Sequence, residues 1–170
     1  MSAQHSSFYE RPVHRQRIQL DVNGKMHQIE VEPRWTLAEV LRQELDLTGT
    51  KLGCNRAECA LCTLLMDGLP VFSCTVLAVE AEGKKIETIE ALAGPEGLHP
   101  LQQAFITEDA LQCGICTPGM MMTLKALLDS NRTPTEAEVK TAIAGNYCRC
   151  GAYPNIIRAA LEAAADLRAR

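Results

Sequence analysis

The chain has 170 residues, 46% of them hydrophobic and 22% charged, and carries a formal net charge of −4. That length fits one large domain or two small ones, each able to bury a core. The acidic balance argues against a nucleic-acid binder, which carries a basic patch or stripe, and no apolar run reaches the roughly eighteen residues needed to span a bilayer.

Residues 1–15 are polar, show no hydrophobic period and are expected to form a flexible N-terminal extension. Met1 to Arg11 contain no apolar leader segment, and Gln16 splits Arg15 from Arg17, so no twin-arginine signal is present. The expected compartment is therefore the cytoplasm. Arg17 to Val22 then alternate strictly, Asn23-Gly24 follows, and a second extended run covers Lys25 to Val31. An Asn-Gly pair between two such runs predicts a hairpin, with Ile18 opposite Ile29 and Leu20 opposite His27. Thr36-Leu37-Ala38-Glu39 is a capping box that opens a helix with Leu37, Val40, Leu41 and Leu45 on one face. Strands are expected near Thr63–Met66, Val71–Cys74 and Lys85–Ile89. Two hairpins with a helix between them suggest a small mixed sheet crossed by one helix, a β-grasp arrangement.

Gly94 to Pro100 hold two glycines and two prolines in seven residues, which marks a boundary. Beyond it the chain reads as helix. One helix starts at Pro100–Phe105, and another covers Pro118–Leu128 with Met121, Leu124, Leu127 and Leu128 as its stripe. Thr133-Pro134-Thr135-Glu136 combines a capping box with proline at the first helical position. The last helix runs from Pro154, with Ile156, Ile157, Ala160, Leu161, Ala164 and Leu167 on its buried face. The organisation is thus an extension (1–15), a sheet-containing domain (16–93), a linker (94–100) and a helical domain (101–170).

Eight cysteines fall into two quartets, with none left over. Cys54, Cys59, Cys62 and Cys74 read C-x4-C-x2-C with a fourth cysteine after eleven residues, the ligand spacing of a plant-type [2Fe–2S] ferredoxin loop. Cys113, Cys116, Cys148 and Cys150 form a C-x2-C pair and a C-x-C pair separated by thirty-one residues. The loop from Gly53 to Cys62 wraps three thiols so tightly that successive amides should turn inward, as in an anion-binding nest. Thr117-Pro118-Gly119 opens a helix directly after Cys116, and helix N-termini favour negative charge. Zinc is the main competing reading, but a zinc ribbon sets its two C-x2-C knuckles about 15–20 residues apart, whereas these lie fifty residues apart. Disulfides are disfavoured in a reducing compartment. A Rieske centre needs two histidines, and none lies within five residues of a cysteine.

Three segments carry a resemblance: Gly53-Cys54 to Cys62-Thr63, Gln112-Cys113-Gly114-Ile115-Cys116-Thr117-Pro118-Gly119, and Gly145-Asn146-Tyr147-Cys148-Arg149-Cys150-Gly151-Ala152-Tyr153. They resemble the small iron–sulfur subunit of the molybdenum hydroxylases, the xanthine oxidase family, from about residue 16 to 167. The resemblance implies an α+β chain, with an N-terminal plant-type ferredoxin-like domain and a C-terminal four-helix domain, each holding one [2Fe–2S] cluster. It implies electron transfer from a molybdopterin on a large partner subunit, through the helical-domain cluster and then the ferredoxin-like one, to FAD on a medium subunit or another acceptor. The assembly implied is a heterotrimer or a dimer of heterotrimers. Carried over residue by residue, Cys150 lies closest to the pterin and Gln112 hydrogen-bonds to it. Ala60 departs from the family, which usually has glycine there; the extra methyl is tolerated if that backbone angle is ordinary. Asn55 and Arg56 also replace commoner small residues, which affects polarity rather than ligation.

Other candidates read as structural. His27 falls on a core-facing strand position, and Trp35 at N′ suits a hydrophobic staple. His5, His14 and His99 pair with nothing evident in sequence. Of Met120, Met121 and Met122, one is expected in the core and the others at a partner. No cysteine remains for nucleophilic catalysis and no phosphate-binding glycine loop is present, so neither a catalytic residue nor a flavin site is expected on this chain. A free-standing two-cluster ferredoxin and a zinc-stabilised interaction module are the alternatives.

Overall fold

The Asn23-Gly24 pair turns the chain as its composition demands: both residues have positive φ, 55° and 75°, the combination a two-residue type I′ hairpin requires. In the computed structural model, which describes residues 14–95 and 97–169, this turn joins β1 (Gln16–Val22) to β2 (Lys25–Val31). The register pairs Ile18 with Ile29 and Leu20 with His27, as expected. The predicted extension lies outside the described residues except for His14 and Arg15, and the Arg15 guanidinium sits 5.4 Å from the Trp35 ring centroid. Ile18, Leu20, Val22, Ile29 and Val31 form one buried face.

Helix α1 (Leu37–Gln43) covers that face with Leu37, Val40 and Leu41. Its capping box is complete: the Glu39 amide donates to Thr36 Oγ1 at 3.2 Å and the Thr36 amide to Glu39 Oε2 at 2.8 Å, a cap worth about 1 kcal/mol. The chain returns as β3 (Thr63–Met66) and β4 (Leu69–Phe72), turning at Asp67-Gly68 with φ of 51° and 79°. β4 therefore starts two residues earlier than expected, directly after its turn. β5 (Lys85–Glu87) completes a five-stranded mixed sheet, ordered β2-β1-β5-β3-β4, with β1 and β5 parallel. It stops at Glu87 because the Thr88 amide leaves the ladder to donate to Asn23 Oδ1 at 2.9 Å.

The C-terminal half packs α2 (Pro100–Thr107), α3 (Thr117–Ser130), α4 (Glu136–Ala142) and α5 (Tyr153–Ala169) around a second core. His99 has a structural partner after all: it caps α2, its Nδ1 accepting from the Leu101 amide at 3.1 Å. All three consecutive methionines are buried, Met120, Met121 and Met122 at 0%, 6% and 1% exposure. The expectation that two would face a partner is corrected by the position of α3, which packs on β3 with one side and on α2 and α4 with others. Helix α4 begins two residues later than read. Thr135 is its cap and Glu138 its reciprocal partner, while the Thr133 amide is taken by Asn131 Oδ1 at 2.9 Å. On α5, Ala159, Ala160, Ala163 and Ala164 are buried beside Ile156, and these short side chains let α2 and α5 approach closely.

Candidate metal centres

The first quartet is built mainly by backbone conformation. Asn55, Ala57 and Ala60 all have positive φ, 52°, 60° and 53°, and these reversals fold the loop over its own cysteines. The Glu58 and Cys59 amides donate to Cys54 Sγ at 3.3 and 3.4 Å, and the Cys54 amide donates to Cys59 Sγ at 3.4 Å. This is the inward-turned set of amides expected from the spacing. Gly53 eases the approach: a Cβ there would lie 3.2 Å from Cys59 Sγ and would push Leu61 Cδ1, 2.5 Å away, aside. Cys62 and Cys74 are buried together with Ala38, and the Ser73 hydroxyl, donating to the Cys62 carbonyl at 2.8 Å, ties their two segments.

The second quartet is built by helix starts. Cys116 immediately precedes α3, and Cys148 and Cys150 lie in the turn that leads into α5. Gly114 and Gly151 supply positive φ of 79° and 76° between the paired cysteines and after them. The Tyr153 hydroxyl locks the second turn, accepting from the Cys148 amide at 2.8 Å and donating to the Asn146 carbonyl at 2.9 Å. Cys116 and Cys148 are buried, whereas Cys113 and Cys150 are exposed with their sulfurs 3.4 Å apart. Gln112 is exposed and reaches Cys150, its Nε2 3.5 Å from the Cys150 carbonyl.

Electrostatics divides each quartet. Burial pushes the Cys62 thiol up to about 11, assisted by Cys74 and Cys59. Burial likewise pushes Cys116 up to about 12, with Cys148 adding to it. Cys54 is lowered to about 7, first by the Arg56 amide, and Cys113 is lowered, first by the Ile115 amide. For Cys148 burial is the largest single influence and raises it, but the Ala152 amide, Cys116 and the Cys150 and Gly151 amides together bring it below the ordinary value. Four anionic sulfurs gathered in this way need a cationic centre to offset them, and metal coordination ionises a thiol outright.

The residues fit a dinuclear cluster. Among the described residues no three His, Cys, Asp or Glu side chains converge tightly enough for a single metal ion. The thiols come instead as neighbouring pairs, Cys54 with Cys59, Cys62 with Cys74, Cys113 with Cys150, and Cys116 with Cys148. Two thiolates per iron is the arrangement a four-cysteine [2Fe–2S] site needs, whereas structural zinc wants four ligands on one tetrahedron. A further mark is Thr117 Oγ1, next to Cys116, the one buried side-chain N or O without a hydrogen-bond partner among the described residues. A buried hydroxyl on the residue that follows a quartet cysteine is a donor still free for an anionic group.

The two loops touch. The Tyr147 amide donates to the Cys59 carbonyl at 3.1 Å, and Asn146 Nδ2 lies 3.4 Å from the Ala60 carbonyl. Ala60 does not have the ordinary backbone angle on which its easy tolerance depended. At φ 53° it is left-handed, which costs a residue with a Cβ roughly 1–2 kcal/mol relative to the right-handed form. Asn55, by contrast, suits its angle, since asparagine tolerates this region. Asn146 and Gly119 lie inside the cysteine motifs, and in sequence their only signal is an asparagine near Cys148 and a glycine at a helix start. His27 is half-buried on β2, Trp35 is half-buried against the core cluster that includes Val40, and His5 lies outside the described residues.

Comparison with known proteins agrees with this geometry. Residues 20–93 match the family described as "2Fe-2S iron-sulfur cluster binding domain", and residues 88–161 match "[2Fe-2S] binding domain". The chain is 49% identical over 148 residues to the 6-hydroxypseudooxynicotine dehydrogenase complex subunit beta of Paenarthrobacter nicotinovorans, covering 86% of this chain and 92% of that one. It is 42% identical over 164 residues to the aldehyde oxidoreductase iron–sulfur-binding subunit of Escherichia coli K12, covering 88% and 72%. The crystal structure of quinoline 2-oxidoreductase from Pseudomonas putida 86 superposes with a TM-score of 0.87 at 45% identity, covering 91% of this chain and 97% of that one. The chain belongs to the small iron–sulfur subunits of the molybdenum hydroxylase family, and its work is electron transfer within a multisubunit oxidoreductase.

Proposed function

We propose that Cys54, Cys59, Cys62 and Cys74 hold one [2Fe–2S] cluster and Cys113, Cys116, Cys148 and Cys150 the other, within domains of residues 16–93 and 101–170 joined by 94–100. Bound there, the clusters accept and release single electrons at potentials set by hydrogen bonds to sulfur and by solvent exposure. The observation that carries a relay is the Tyr147–Cys59 bond at 3.1 Å: it links the residue before Cys148 to a cysteine of the other quartet, so a short bonded path runs between them.

The direction is taken from the family resemblance: electrons enter at the second quartet from a molybdopterin on a large partner subunit, with Gln112 and Cys150 as the pterin contacts, and the surface position of Cys113, Cys150 and Gln112 supports that reading. They leave through the first quartet toward FAD on a medium subunit, in a heterotrimer or a dimer of heterotrimers. The substrate-binding chemistry belongs to the large subunit. This is supported by the relatives, whose names span an oxidised nicotine derivative, an aldehyde and quinoline at comparable identity to this one chain. No helix among the described residues is long and apolar enough to cross a membrane, and a cytoplasmic location suits exposed cysteines that must stay reduced. Iron and acid-labile sulfide analysis tests the ligand assignment: four irons and four sulfides per chain are expected for two such clusters, and zinc without sulfide would refute it.

A further inference from the structure

The contact between the two cysteine loops is made by residues that ligate nothing. Gly119 is the third residue of α3 and is buried against the other half of the molecule. A Cβ placed on it would fall well inside van der Waals contact of the Ala60 carbonyl oxygen and 2.9 Å from that of Leu61. Both obstacles are backbone, so neither can swing aside. Hydrogen at this position is what allows the first turn of α3 to seat on the chain between Cys59 and Cys62.

Asn146 completes the contact from the other side. It is a buried polar residue, 4% exposed, and its backbone is fully engaged: the amide donates to the Ile143 carbonyl at 2.9 Å and the carbonyl accepts from Tyr153 Oη at 2.9 Å. Its side-chain amide is left to reach across to the Ala60 carbonyl at 3.4 Å. That carbonyl already accepts from Thr63 Oγ1 at 2.8 Å, so it does not depend on Asn146 for satisfaction. The left-handed angle of Ala60, 53°, helps set where this carbonyl lies. In sequence Gly119 is three residues from Cys116, Asn146 two from Cys148, and Ala60 one from Cys59. The latch therefore occupies the gap between the quartets, alongside the Tyr147–Cys59 bond.

We propose that Gly119 and Asn146 are positioning residues that set the separation of the two clusters, Gly119 by permitting close approach and Asn146 by fixing the lateral register. The inference rests on the ligand assignment above. Tunnelling between redox centres falls exponentially with the distance between their edges. A latch that holds the loops in contact therefore sets the rate of the internal electron step while leaving each cluster's ligands untouched. It also accounts for a buried amide at Asn146 where an apolar residue would pack without needing a partner.

The test uses the full chain, assembled with its clusters and fully reduced, so that both centres are paramagnetic. Their mutual magnetic splitting in low-temperature EPR, which falls steeply with separation, is measured together with the inter-cluster transfer rate after rapid one-electron reduction. G119A is expected to weaken the splitting and slow transfer severalfold, and N146L to do the same to a smaller degree, with iron, sulfide and each cluster's own g-values unchanged. N146L keeps the size of the side chain and leaves the Ala60 carbonyl bonded to Thr63, so it decides the matter if G119A does not fold. Variants that carry both clusters with wild-type splitting and wild-type transfer overturn the latch. A wild-type chain without two clusters overturns the ligand assignment and the latch with it, and its metal and sulfide content shows this before any variant is made.

Discussion

The two cysteine quartets each gather four thiols, but by different structural means. The first is local: three of its members lie within nine residues, held by left-handed turns and by amides of the same loop. The second is tertiary: its two halves stand thirty-one residues apart and meet only because α3 and α5 pack in one core. A local site depends on backbone conformation, and a tertiary site depends on the packing beneath it. Exposure differs only in the outer pair: each quartet has two buried cysteines, Cys62 and Cys74 or Cys116 and Cys148, but the other two are half-buried in the first, Cys54 and Cys59, and exposed in the second, Cys113 and Cys150.

The largest expected effects separate the sites outright. Cys150→Ser should abolish assembly of the helical-half cluster and leave the ferredoxin-like one, seen as loss of one of two rhombic EPR signals in the reduced protein. Loss of both signals in a protein that still folds would contradict independent assembly. Ile156→Ala probes the tertiary dependence without touching a ligand. Ile156 is fully buried on α5, and truncation there should cost about 2–5 kcal/mol. On heating, the second signal should then be lost at a lower temperature than the first. Equal losses would show that the two cores melt as one unit.

A smaller effect tests the local site. Ala60→Gly should relieve the left-handed angle of 53° and raise stability by about 1 kcal/mol, read as a higher melting temperature with both signals retained. A lower melting temperature would mean that the buried methyl, 2% exposed, contributes more through packing than it costs in backbone strain.

What was legible in sequence follows the same division. The Asn23-Gly24 hairpin and its register, the Thr36–Glu39 cap and the wrapped loop of the first quartet are local patterns, and sequence spacing captures them. The Met120–Met122 run misled because burial on several sides of α3 is decided by the sheet beneath it, which no helical period reveals. At α4 two overlapping capping boxes were present. The choice of Thr135 over Thr133 was made by Asn131, which occupies the Thr133 amide. Gly119 and Asn146 lay inside motifs already in view, but their role is a contact across fifty-nine and eighty-six residues to Ala60. Nothing in spacing points to such a contact.

The smallest effect compares the two halves under acid. The Glu138 carboxyl, which accepts from the Thr135 amide at the start of α4, is held below its ordinary value of 4.5 mainly by that bond. The Asp67 carboxyl at the β3–β4 turn is held below 3.8, first by the Lys85 amide and then by Lys84. Both groups have a folded-state pKa lower than the unfolded one. Their stabilising contributions are therefore complete above those ordinary values and are lost as pH falls through the depressed ones. Both side chains are exposed, so each contribution is small and weakened by salt. Glu138→Gln should remove part of the acid-dependent loss of melting temperature in the helical half, and Asp67→Asn in the sheet half, each read as a wild-type-minus-variant difference that shrinks below about pH 4. Because acid release of the clusters is common to wild type and variant, it cancels in that difference. A difference that stays constant with pH would show that the bonds at these two turns are steric fits rather than charge-assisted ones.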